Sequence, residues 1–322
     1  MAADPIPAEA IAVIDRISKS PPGYRRGHAR GLGVRGTFRA SSEAKTLTTA
    51  EHFQGGAIPC VARFSNASAN PCAPDRLSPK EGRTQGLAVK FALPSGKAAT
   101  WAAINIPVFP ARTPAEFMAL TEAQAPKAGG KPSMAKLLWH VIRHLHILVS
   151  VKHIKALKPA RTYGMETFFG IHTYYLIDAA GNRKAFRYRW APRLSGSALS
   201  PEEAAAQPEQ YLMNELRARL GQGPLSWDLI AQFAEPGDSL DDPSVLWPVG
   251  RRETILGSLS LDRVHEDQEA IEGMVFDPTG VVAGLGLSED PILKFRSRVY
   301  SESYSRRTSE TRTAPAPADM GQ

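Results

Sequence analysis

The sequence predicts an α+β fold in which one strand-rich domain is interrupted by helices. Three observations carry this. Short runs alternate apolar and polar residues with a period of two, as half-buried strands do. Several helix starts show Thr, Ser or Asp followed by proline, two of them with an acid at the third helical position. The 26 glycines and 26 prolines punctuate the whole chain without a fixed repeat, which argues against a solenoid or propeller.

In chain order, Val61–Ser65 and Gly86–Leu93 read as strands. Thr113-Pro-Ala-Glu116 opens a helix, and Ser133–Ile154 reads as another. Tyr174–Ile177 and Ala185–Trp190 form a hairpin across Asp178-Ala-Ala-Gly-Asn182. In its second arm Phe186, Tyr188 and Trp190 alternate with Ala185, Arg187 and Arg189, so one face is buried. Ser200-Pro-Glu-Glu203 starts a further helix, and Gly257–Leu261 alternates as a late strand. Asp290-Pro291 opens a helix that runs through Tyr300 toward Arg307. The remainder is rich in Thr, Ser, Ala and Pro, so one domain is expected over residues 1–306 and a disordered tail over 307–322.

A chain that is 43% hydrophobic and 22% charged builds a globular core and is not a disordered polyelectrolyte. No stretch approaches the roughly 18 apolar residues that span a bilayer. The most apolar run, Leu145–Val151, is short and flanked by His and Lys. The first residues lack a basic and an apolar signal region, so a cytoplasmic protein without a membrane partner is expected. Two cysteines, Cys60 and Cys72, show no C-x-x-C spacing; they exclude thiolate zinc and read as free thiols. The net charge of +7 suggests an anionic partner. Arg25, Arg26, Arg30, Arg35 and Arg39 gather in one segment with Tyr24 and His28, as either a nucleic-acid footprint or a pocket for a smaller anion.

Phosphate-binding and nucleophile-elbow motifs are both absent. His140 and His144 have metal-ligand spacing but lack the intervening glutamate of a zinc protease. They read, with His146 and His153, as the polar side of an amphipathic helix. Arg296 and Tyr300 are four residues apart, hence on one helix face. A guanidinium there favours the phenolate form of a tyrosine, whose ordinary pKa of about 10 otherwise makes it a poor anionic ligand. His28, set among arginines and glycines, reads as a loop residue or as a proton shuttle with an ordinary pKa of about 6.5.

Collinear segments through most of the chain carry a resemblance: Arg25-x-x-His28-Ala-x-Gly31, Val61-Ala-Arg-Phe-Ser65, Gln85-Gly-Leu-Ala-Val-Lys-Phe91 and Asn105-Ile-Pro-Val-Phe109. They continue through Gly170-Ile-His-Thr-Tyr174, Leu246-Trp-Pro-Val-Gly250, Phe276-Asp-Pro278 and Arg296-Ser-Arg-Val-Tyr300 with Arg307. The chain resembles haem catalases, and more closely their shorter relatives, the catalase-related peroxidases. The resemblance implies an antiparallel β-barrel with helical insertions, without the C-terminal helical domain of full-length catalases. It implies b-type haem with Tyr300 as the axial iron ligand and Arg296 stabilising that phenolate. By position, His28 matches the distal catalytic histidine and Ser65 the serine that orients it. Arg25, Arg63 and Arg307 match arginines near the haem propionates, and Phe109 with Phe117 would line the distal side. His172 and Trp190 read as structural barrel residues.

One departure stands out. The family's distal asparagine lies three residues before the motif proline, where this chain has Ile104, whereas Asn105 lies two before Pro107. Asn105 is carried as the catalytic amide. The expected activity is reduction of hydrogen peroxide or organic hydroperoxides by a small organic reductant through a ferryl intermediate, in a monomer or small homo-oligomer. Catalase-type dismutation and a non-catalytic haem or nucleic-acid-binding protein are the alternatives.

Overall fold

Backbone pairing of nine antiparallel strands organises the computed structural model, which describes residues 7–18, 21–75, 84–125 and 132–310. The strands are β1 (Gly31–Ala40), β2 (Ala57–Asn66), β3 (Gln85–Ala92), β4 (Ala98–Ile104), β5 (Phe168–Ile177), β6 (Arg183–Pro192), β7 (Leu225–Phe233), β8 (Glu253–Val264) and β9 (Leu285–Leu287). Their order is β4-β3-β2-β1-β8-β7-β6-β5-β9. Ile104 pairs with Phe169, so β4 meets β5 and the first eight strands close into a barrel; β9 adds to β5. Closure removes the exposed edges an open sheet would carry.

The barrel interior is aromatic. Phe38, Phe91, Trp101, Tyr188 and Trp190 touch edge to face or tilted, for example Trp101 on Tyr188 at 4.5 Å between centroids. Every expected strand is present. β1 was not expected, because three glycines break its alternation. Gly36 needs its missing side chain: a Cβ there would meet Ser260 O at 2.0 Å, where the pairing of β1 with β8 shifts register.

The helices are α1 (Pro7–Ser18), α2 (Ala44–Leu47), α3 (Pro114–Ala123), α4 (Met134–Arg143), α5 (Ile147–Ala156), α6 (Pro201–Ala205), α7 (Tyr211–Leu220), α8 (Gln268–Gly273) and α9 (Pro291–Ser309). The local signals act as expected. Thr113 Oγ1 accepts from Glu116 N, Ser200 and Glu203 form a reciprocal cap, and Asp290 Oδ1 accepts from Ile292 N and Leu293 N. Ala10, Met118 and Phe295 form a separate cluster that joins α1, α3 and α9.

Four expectations are corrected. The helix over 133–154 is two helices, α4 and α5, broken at His144 to His146. The face it turns to solvent is the apolar one, with Met134, Leu138, Trp139, Ile142 and Leu145 exposed, whereas His140 is buried. The N-terminal arginines do not form one basic patch: Arg26 pairs with Asp15 and Glu310, Arg30 with Asp75, and Arg35 with Glu266. Finally, the fold passes the expected boundary at 306. α9 continues to Ser309, and the Glu310 carboxylate accepts from Gly23 N and pairs with Arg26. Residues 311–322 of the expected tail, and residues 1–6, lie outside the described residues.

Candidate active site

α9 supplies one wall. Its regular geometry puts Arg296 and Tyr300 one turn apart, and Arg296 Nη2 donates to Tyr300 Oη at 2.6 Å. Arg296 Nη1 donates to His172 Nε2 at 2.9 Å, and His172 Nδ1 donates to Asp290 Oδ2 at 2.6 Å. Four side chains therefore form one hydrogen-bonded series, Asp290–His172–Arg296–Tyr300. Asp290 serves twice, capping α9 through one carboxylate oxygen and orienting His172 through the other. The series depends on a β-bulge: between the pairs Gly170↔Tyr188 and Tyr174↔Phe186, three residues of β5 oppose one of β6, which re-aims His172.

Electrostatics fits these bonds. Burial lowers His172 to about 4 against the pull of Asp290, so its ring is neutral and its Nε2 lone pair accepts from the guanidinium. Burial alone would lower Arg296; the Tyr300 hydroxyl outweighs it and holds Arg296 above its ordinary value. His172 was expected to be merely structural. Nothing local links it to residues 118 positions away, so only the fold identifies its role.

The facing wall is built on sheet register. Gly31↔Ser65, Ser65↔Gly86 and Gly86↔Ile104 are directly paired across β1 to β4, so their side chains share one face. His28, in the loop before β1, lays Nδ1 on Ser65 Oγ at 2.9 Å. A Cβ on Gly86 would stand 2.9 Å from the imidazole, so glycine is needed beneath it. His28 has φ of 54°, a left-handed conformation that costs on the order of 1 kcal/mol for a residue with a Cβ. Arg63 steadies it, donating to His28 O at 3.0 Å. Desolvation, with the Arg63, Arg296 and Arg25 guanidiniums, lowers the imidazole to about 3. The Arg296 charge that pairs with Tyr300 thus also acts on His28, which ties the two walls into one site.

Arg25, Arg63 and Arg307 converge on one segment. Arg25 and Arg63 both pair with Glu272, and Arg25 and Arg307 both donate to Met274 O. Burial would raise Glu272, but Arg63 and Arg25 overcome it and hold the carboxyl below its ordinary value. Arg25 falls to about 9 through desolvation and the Arg63 charge. Glu272 was not singled out in the sequence, where it is one acid in a short, unremarked helix. Phe109 and Phe117 contact at 5.3 Å between centroids, and Phe117 also packs toward the α1–α9 cluster.

Comparison with known proteins decides the family, since residues 8–314 match the sequence model described as Catalase. The chain belongs to the catalase family. It is 34% identical over 313 residues to a protein of Mycolicibacterium paratuberculosis named catalase-related peroxidase, covering 97% of both chains. A protein of the same name in Synechococcus elongatus is 31% identical over 304 residues, with 94% of this chain and 88% of the relative covered. Among solved structures, catalase A from Saccharomyces cerevisiae superposes with a TM-score of 0.78 at 21% identity. That match covers 90% of this chain and 62% of the yeast chain, and the like fold is shared with a bacterial catalase at a TM-score of 0.76.

Asn105 has partners of its own. Asn105 is buried, but its Oδ1 accepts from Gln85 N at 2.8 Å and its Nδ2 donates to Glu166 Oε2 at 3.2 Å. Ile104, not Asn105, stands in the Ser65–Gly86 row that carries His28. Asn105 follows the last residue of β4, and its amide is engaged by Gln85 N and Glu166. Of the remaining expected residues, His28 and Ser65 meet, as do Arg296 and Tyr300. Arg25 and Arg63 meet through Glu272. Both cysteines are free, and burial pushes the Cys60 thiol up to about 12. Among the described residues no helix is long and apolar enough to cross a membrane.

Proposed function

We propose that this protein is a haem-dependent peroxidase that reduces hydrogen peroxide or organic hydroperoxides with electrons from a small organic donor. The observation that carries the reading is the Asp290–His172–Arg296–Tyr300 series together with the His28–Ser65 pair, on whose imidazole the Arg296 charge acts. The two relatives named catalase-related peroxidase support it. The residues also fit the cofactor. Tyr300 offers a phenol oxygen already bonded to a guanidinium, which suits an anionic ligand for ferric iron. Arg25, Arg63 and Arg307 gather guanidiniums around the Glu272–Met274 segment, the kind of group that holds propionates.

Haem, when bound, supplies the iron that accepts the peroxide and the two electrons that cleave the O–O bond. The chain supplies the proton movement. With its hydrogen on Nδ1 donated to Ser65 Oγ, neutral His28 presents the Nε2 lone pair as a base. That lone pair would take a proton from one peroxide oxygen and return it to the other, which departs as water or alcohol. A base held at about 3 keeps the proton only briefly, which favours its return. Ser65 orients the ring, and Arg63 fixes the backbone that carries it. Arg296 balances the phenolate from the other wall. Ile104 puts a hydrocarbon where an amide would otherwise position a second peroxide, which favours turnover by an organic donor over dismutation.

The test is the visible spectrum of haem-loaded protein before and after one equivalent of hydrogen peroxide, with guaiacol then added. A peroxide-oxidised spectrum that guaiacol returns to the ferric form, lost in His28→Ala with haem retained, is expected. Unchanged peroxidase rates in His28→Ala would refute the proposal.

A further inference from the structure

The break between α4 and α5 gathers ligating groups away from the site described above. Glu116, on α3, reaches both histidines of the break. Glu116 Oε1 lies 3.4 Å from His144 Nδ1, and Oε2 lies 3.2 Å from His146 Nε2. One ligand atom from each of these residues falls within 4.8 Å of the others. Four ligands at about 2.0–2.1 Å from a tetrahedral zinc ion lie about 3.4 Å from one another. The Glu116 carboxylate stands at about that distance from each imidazole, through a different oxygen for each. We infer that Glu116, His144 and His146 form a binding site for a divalent transition metal of the zinc class, with a fourth position left to water or to His140.

Three features separate this cluster from an ordinary surface ion pair. His146 Nε2 is buried and makes no hydrogen bond, although it faces the carboxylate. His140 Nε2 is likewise buried without a hydrogen-bond partner, and its ring stacks at 4.6 Å on that of His144. A buried imidazole nitrogen with no donor or acceptor costs free energy unless something occupies it. Glu116 is pre-set by two further contacts, its Oε2 accepting from Arg112 N and its own backbone N–H donating to the Thr113 cap. Arg112 does not fill the site, since its guanidinium pairs with Asp242.

Imidazole and carboxylate ligands suit zinc, copper or nickel rather than calcium or magnesium. Bound metal would staple α3 to the α4–α5 junction. The consequence is mechanical, because α3 also carries Phe117 and packs between α1 and α9.

The experiment uses the full-length, haem-loaded chain, stripped with a chelator and then equilibrated with zinc chloride, with zinc and iron counted separately by elemental analysis. About one zinc per chain is expected, together with a zinc-dependent rise in unfolding temperature. The double variant His144→Ala, His146→Ala should bind zinc at least tenfold more weakly and lose that rise, with its haem content reporting that it still folds. Glu116→Gln should weaken binding less, and His153→Ala, on α5 outside the cluster, should leave it unchanged. Wild-type chain that takes up no stoichiometric zinc, or a double variant that binds it equally, would overturn the inference.

Discussion

The two walls of the active site are built by different means. The proximal wall is a helix, where Arg296 and Tyr300 meet because of a four-residue spacing, and where each polar group from Asp290 to Tyr300 has its partner. The distal wall is a sheet face and a loop, where His28 holds one side-chain hydrogen bond and a left-handed backbone. Helical spacing is sufficient for the Arg296–Tyr300 pair, to which the fold adds His172, whereas the second wall requires four strands in register. The difference teaches that ligand strength is set by a short, self-supporting motif, while substrate handling depends on alignment across the barrel.

Substitutions that separate these walls should have unequal effects. The largest belongs to the helix side: Tyr300→Phe removes the oxygen proposed to hold the iron, so the Soret band of haem-loaded protein should shift and peroxidase activity should be abolished. An unaltered spectrum would show that iron is held elsewhere. On the distal side, His28→Ala should keep haem and lower the rate about 10²–10⁴-fold, the usual scale for losing a general acid–base group. Equal loss of haem in both variants would erase the distinction between a ligating and a proton-moving wall.

Ile104→Asn sharpens the comparison from the other direction. Restoring an amide in the Ser65–Gly86 row adds one hydrogen bond to peroxide, so oxygen evolution from hydrogen peroxide should rise by up to about tenfold. Asn105→Ala, by contrast, should reduce stability through Gln85 and Glu166 without a matching change in oxygen evolution. A variant at Asn105 that selectively lost peroxide turnover would mean the register argument has the wrong face.

Asp290 tests the double duty of one residue. Asp290→Ala should cost about 1–2 kcal/mol in denaturant unfolding through the lost cap. Asp290→Ser keeps a capping oxygen and should recover much of that stability while still altering the haem spectrum, because His172 loses its partner. Identical spectra for wild type and Asp290→Ser would remove Asp290 from the series.

The smallest effect is the pH dependence of stability. His172 and His52 are lowered from about 6.5 to about 4 and about 3 by burial. The unfolded chain binds their protons first, so their stabilising contribution is complete above about 6.5 and is lost as pH falls toward about 4. Glu272, held below its ordinary value, adds a loss of the same sign at lower pH. The unfolding temperature should fall steadily below pH 6.5, and a flat profile down to pH 4 would contradict the neutral assignment of these rings.

Helix starts at Thr113, Ser200 and Asp290 were legible because a cap is a contact within three residues. β2, β3 and the β5–β6 hairpin were legible because alternation records burial directly. β7 carries the same signal, Leu225 to Phe233 alternating buried and half-buried without a break, and the strand reading passed it over. β1 and β4 carry little of it, because glycines in β1 and alanines in β4 blur the alternation around the core residues Phe38 and Trp101.

The sequence by itself determined the family through its collinear motifs, the proximal pair through helical spacing, and the distal pair of His28 and Ser65 through resemblance to that family. Only the tertiary structure decided what completes them. His172 joins Arg296 across 124 positions, Glu272 joins Arg63 across 209, and Glu116 meets His144 and His146 across a helix break. It also decided that Ile104 stands in the Ser65–Gly86 row against which His28 lies. Helical spacing and caps are written into neighbouring residues, but strand register and the meeting of distant side chains come from closing the barrel, and a one-residue shift there exchanges an amide for a hydrocarbon.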